Sequence, residues 1–167
     1  MSPWSLRLTK AVLPDDFARR RRQLLNHMHP GSIAVIPGAV QHRRNNDIFF
    51  PFRQDSDFYY LTGFREPDAL LVLIPGRKQG ETIVFCRERD PLLERRDGVI
   101  LGPERCQSAL GVDDAFPICD VDEILPGLLE ARSQVYMNLG EHAAWDERVL
   151  TWLSGLASQR PAVVATV

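Results

Sequence analysis

At 167 residues the chain holds one domain with a single core and has no room for a second full one. Its 44% hydrophobic and 25% charged residues are those of an ordinary globular protein, which excludes a low-complexity or wholly disordered chain. A formal net charge of −2 excludes a global field that would attract nucleic acid or an anionic membrane surface, so any partner is recognised locally.

Three cysteines, Cys86, Cys106 and Cys119, are widely spaced and form no CxxC pair, which argues for free thiols in a reducing compartment. The segment Met1 to Lys10 lacks the apolar stretch of a secretory signal. No run approaches the roughly 18 apolar residues of a membrane span. The expected location is therefore the cytoplasm, with neither nucleic acid nor membrane as partner.

In chain order, residues 1–13 read as an arm, in which Trp4, Leu6 and Leu8 suit a short strand. The main domain is expected over 14–157. Pro14 suits a first helical turn, Asp15 and Asp16 favour the positive helix end, and Phe17, Leu24, Leu25 and Met28 share one face. Pro30-Gly31 ends that helix. Ser32 to Pro37 is short, β-branched and closed by Pro-Gly, the pattern of a buried strand. A polar stretch from Gly38 to Asp57 follows, broken by Phe49, Phe50 and Phe52; long loops of this kind are functional or interfacial. Ser56 is expected to cap a helical turn through Leu61, and Gly63 to end it.

Ala69 to Ile74 and Thr82 to Cys86 form the clearest hairpin. Arg87 to Gly111 reads as loop with a short helix near Glu104 to Leu110. Asp120 or Asp122 caps a helix through Leu129, with Pro126 in its first turn, where the missing N–H is tolerated. Val135 to Leu139 reads as a strand and Ala143 to Leu156 as a helix burying Trp145, Val149 and Leu156. Residues 158–167 read as a tail. Helices alternating with strands around one hairpin predict an α/β fold, a mixed β-sheet flanked by helices.

Catalytic motifs do not emerge. His27 and His29 stand at a helix end, where a cation has an electrostatic reason to sit, and His42 and His142 are isolated in sequence. There is no HExxH pair, nucleophile elbow or phosphate loop, so neither catalytic residues nor a metal site are assigned. Arg19 to Arg22 spreads around a helix with Asp15 and Asp16 one turn back, which favours a solvated face over a nucleic-acid patch. The remaining concentration is Phe50 to Phe64, FPFRQDSDFYYLTGF, aromatic rings set around Arg53, Asp55 and Asp57. Such a segment is either a core anchored by buried ion pairs or an interface. Its candidate interface or substrate-access residues are Arg53, Asp55, Asp57, Tyr59 and Tyr60.

The same segment carries a resemblance. PFRQDSDFYYLTGFREPDALLVLIP, Pro51 to Pro75, is similar to the pattern PYRQNSDFYYLTGFxEPxAVLVL of the N-terminal domain of Xaa-Pro aminopeptidases, or aminopeptidase P. Phe17 to Ile36 resembles that family's first helix and strand, and Ala109 to Ile118 its LGVD turn, so the likeness spans Phe17 to Leu156. It implies a creatinase-type fold that precedes a larger catalytic domain holding two metal ions, usually manganese. That domain would remove the residue before a proline, and its metal ligands, two Asp, one His and two Glu, belong to it alone. This chain by itself is accordingly expected to be inactive and to hold no cofactor.

The resemblance also aligns Asp47 with an acidic residue near the substrate entrance. In the family's WxGxRxG-like segment, Arg96 takes the tryptophan position and Ile100 the arginine position, which departs from an inter-subunit role. The expected partners are a catalytic domain or other copies of the chain, and proline-containing peptides. Two functions follow, a non-catalytic domain of an aminopeptidase or a stand-alone binding module of the same fold. Either predicts a dimer or an exposed apolar patch near the aromatic segment.

Overall fold

Three runs whose residues are almost all buried, Ser32–Pro37 (β1), Leu70–Leu73 (β4) and Thr82–Cys86 (β5), can only sit inside a sheet covered on both faces. In the computed structural model, which describes residues 14–45, 48–130 and 132–159, they are its three central strands. Asp114–Pro117 (β6) and Gln134–Tyr136 (β7) complete the order β6-β5-β4-β1-β7. β4 runs antiparallel to β1 and β5, while β6 lies parallel to β5 and β7 parallel to β1. The mixed sheet expected above is present. The arm, residues 1–13, and residues 160–167 of the tail lie outside the described residues.

Side-chain alternation splits the core in two. Ala34, Leu71, Leu73, Val84 and Cys86 face one side with Leu25, Met28, Phe58 and Leu61. These come from helices Pro14–His27 (α1) and Ser56–Thr62 (α2), and Gly102–Leu110 (α4) packs on the same side. Ile33, Val35, Leu70, Val72, Ile83 and Phe85 face the other side with Val121, Leu125, Trp145 and Val149, from helices Val121–Glu130 (α5) and Ala143–Gln159 (α6).

Several elements differ from expectation. The long polar stretch contains a small hairpin, Arg43–Asn45 (β2) with Ile48–Phe49 (β3). Arg87 to Gly111 carries a second helix, Pro91–Asp97 (α3), capped by the Asp90 side chain, which accepts the Leu92 N–H. A 3₁₀ turn, Ile118–Asp120, runs directly into α5, and Asp122 in the first turn of α5 pairs with Arg148 at 2.8 Å. Pro126 is the sixth residue of α5, past the first turn. α6 continues to Gln159 instead of ending at Leu156.

The arginine run also differs. Arg19 pairs with Asp16 on the surface, but Arg21 is 2% exposed. Its guanidinium donates to the carbonyls of Leu61 (2.9 Å), Leu110 (2.8 Å) and Gly111 (2.8 Å), the ends of α2 and α4. Terminal carbonyls have no partner within their helix, and a cation there is doubly favoured. Burial pushes this guanidinium below its ordinary pKa, and Asp113 partly offsets that. Beside it, Gly63 ends α2 at φ 69°, and a Cβ there would stand 2.5 Å from the Phe17 ring, so only glycine fits.

Arg21→Met strands three carbonyls and is expected to lower the unfolding free energy by about 3 kcal/mol in urea denaturation. Arg21→Lys reaches fewer acceptors and falls between the two. A variant as stable as the parent would show that the clamp is unimportant.

Candidate functional site

Helix α1 packs on α2 and α4 and sends Leu25 and Met28 into the core on the Ala34 face of the sheet. Tyr136 pairs with Ala34 across the parallel strands, so both point toward α1, yet Tyr136 is 41% exposed. The result is a groove of about 620 Å³ between α1 and β7, at the carboxyl ends of two parallel strands, where open α/β sheets place their ligands. Arg20, Gln23, Leu24 and His27, at helical spacing, form one wall. Leu61 and Ile36 form part of the floor, and Tyr60, Tyr136 and Met137 the rim.

The head of the groove is polar. Asp55 caps α2: its Oδ1 accepts the N–H groups of Asp57 (3.0 Å) and Phe58 (2.9 Å), which leaves Oδ2 facing His142 Nε2 at 3.6 Å. Ser56, expected as the cap, is instead the first helical residue. The Asn138 amide donates to Asp57 Oδ2 at 3.0 Å and to Glu141 at 3.4 Å. The His142 carbonyl opens α6 by accepting the Trp145 and Asp146 N–H groups, which anchors its backbone. Gln54 sets the position of Asp55, because its Oε1 accepts the Ala39 and Asp55 N–H groups while its amide donates to the Glu66 carbonyl.

The candidate residues therefore separate. Asp55, Asp57 and Tyr60 line this groove, whereas Arg53 and Tyr59 line a second hollow of about 330 Å³ with Arg65, whose guanidinium donates to the Tyr59 hydroxyl at 3.1 Å. Asp47 lies outside the described residues. The aromatic segment is both core and surface: Phe58 and Phe64 are buried, Phe50 and Tyr60 about half exposed. Tyr60 carries the Arg20 guanidinium over its ring at 4.2 Å.

Asn138, Glu141 and His142 were not reached from sequence, since no spacing links them to Asp55 and only the pairing of β7 with β1 brings them there. Cys86 and Cys106 are buried, and contact with the Cys86 thiol, together with burial, pushes the Cys106 thiol well above its ordinary range.

This architecture can be set beside known proteins. The model of the aminopeptidase P N-terminal domain matches residues 17–136. The chain belongs to that family. It is 39% identical over 142 residues to the Xaa-Pro aminopeptidase of Haemophilus influenzae, covering 84% of this chain and 33% of that protein. It is 40% identical over 132 residues to the Xaa-Pro aminopeptidase of Escherichia coli, covering 78% of this chain and 30% of that one. The solved Pseudomonas aeruginosa aminopeptidase PepP superposes with a TM-score of 0.86 at 45% identity, over 93% of this chain and 36% of that structure. Aminopeptidase P from E. coli in its low-pH form gives 0.81 at 38% identity, over 86% and 33%. The chain thus spans about a third of the length of the relatives it matches.

The paired-manganese centre that the resemblance implies does not fit these residues. Among the described residues the metal-capable groups that converge are Asp55, Glu141 and His142, short of the two Asp, one His and two Glu that the resemblance gives to such a centre. Within this aminopeptidase P N-terminal domain, Ile100, which the resemblance sets at an arginine position, is buried at 1% exposure.

Replacing Asp55 with Ala removes the acceptor of two helix N–H groups and is expected to destabilise the domain by about 1 kcal/mol, whereas Asp55→Asn and Ser56→Ala should stay near the parent. Thermal melts of the three variants decide it, and a Ser56→Ala loss equal to that of Asp55→Ala would contradict the assigned cap.

Proposed function

We propose that the chain is the non-catalytic N-terminal domain of a manganese-dependent Xaa-Pro aminopeptidase, a cytoplasmic enzyme. In this reading it packs against the catalytic domain, supports oligomerisation and shapes substrate access. The observation that carries this reading is the family match over residues 17–136, in a chain that spans about a third of its relatives. The two manganese ions and their ligands would belong to the catalytic domain, which supplies metal-assisted hydrolysis. This chain's residues would supply surface.

That surface has apolar side chains to offer. Val40, Phe50 and Tyr60 are exposed around the aromatic segment, and Leu92 at 74% and Val99 at 77% are exposed in and just after α3. The second pair suits contact with another copy of the chain. A second reading, a stand-alone module that takes proline-containing peptides, is favoured by the groove itself, whose exposed Tyr60 and Tyr136 offer the aromatic faces on which proline rings pack.

The purified chain, supplied with Mn²⁺, is expected to release no residue from peptides with proline in second position. Hydrolysis that copurifies with the folded chain and survives removal of contaminants would overturn the non-catalytic assignment.

A further inference from the structure

The groove head assembles metal-capable groups from two distant segments. A carboxylate oxygen of Asp55, one of Glu141 and an imidazole nitrogen of His142 lie within 4.8 Å of one another. Donor atoms at 2.0–2.2 Å from a tetrahedral zinc ion stand about 3.4 Å apart, so a pair at the 4.8 Å limit needs to close by about 1.4 Å, while Asp55 and His142 are already at 3.6 Å. Glu141 is exposed and unbranched, and its side-chain torsions supply that movement.

The other two groups are already aimed. Asp55 Oδ1 is held by the α2 N–H groups, so the carboxylate cannot turn away and Oδ2 remains toward His142. His142 is anchored through its carbonyl at the start of α6. The donor set selects among ions. An imidazole with two carboxylates suits zinc and its neighbours, while magnesium and calcium prefer shells of oxygen. The groove of about 620 Å³ opens on the same three residues, which leaves room for water or a ligand to complete the coordination.

We propose that Asp55, Glu141 and His142 form a mononuclear site for a divalent transition-metal ion of the zinc type at the head of the groove. The site is built from this chain alone and stands whether or not the chain serves an aminopeptidase.

The test is calorimetric titration of the full 167-residue chain with Zn²⁺. One saturable equivalent is expected, with no response to Mg²⁺. Asp55→Asn keeps the helix cap and therefore the fold, which circular dichroism checks, and should weaken binding by about 100-fold. His142→Ala should do the same, and Glu141→Gln should weaken it about tenfold. Cys119→Ser removes an exposed thiol beside Glu88 and Asp120, a competing zinc trap, and should leave the binding unchanged. Absence of saturable Zn²⁺ binding, its persistence in folded Asp55→Asn, or its loss in Cys119→Ser would each overturn the proposal.

Discussion

A buried arginine holds this domain together. Removing a guanidinium from water is costly, and it is tolerated only where its donors meet acceptors that have lost their own partners. Arg21 finds such acceptors at the ends of two helices. One side chain thereby satisfies the closing carbonyls of α2 and α4 and fixes α1 against both. Arg20, the preceding residue, donates to the Tyr60 carbonyl at 2.9 Å and stacks on its ring, so α1 and α2 are joined twice.

The groove follows from that clamp. With α1 held against α2 and α4, its Leu25 and Met28 join the core on this face of the sheet, and the groove lies between α1 and β7. The parallel pairing of β1 with β7 then delivers the chain after Tyr136 to the start of α2, where Asp55 and Asp57 already face outward. Gln54 completes the arrangement, since a single amide ties residues 39, 55 and 66 together. The helical wall, the polar head and the exposed aromatic rim are thus consequences of helix packing.

Much of this was legible in the sequence. Ser32 to Pro37 and Thr82 to Cys86 were bounded correctly because continuous β-branched runs between turn residues admit few alternatives, and Gly63 was found because a positive φ demands it. The edge strand β6, Asp-Ala-Phe-Pro, has no period to read and exists through its pairing with β5. Asp55 and Ser56 are both good caps, and adjacent residues cannot be separated by propensity alone. Arg21 is chemically identical to its neighbours in the run and is distinguished only by the two helix ends that converge on it. The same holds for His142, isolated in sequence and placed beside Asp55 by topology.

The family membership and the site pull in complementary directions. Likeness across residues 17–136 speaks for a shared fold, while the groove head is argued from this chain's own residues. The central claim is that the domain supplies surface to a metal-bearing partner. The most direct measurement exchanges this chain for the corresponding segment of the Haemophilus influenzae Xaa-Pro aminopeptidase and follows cleavage of a peptide with proline in second position. The account predicts a folded chimera that retains cleavage. A folded chimera whose two domains do not associate, or that has lost all activity with its metal centre loaded, would contradict it.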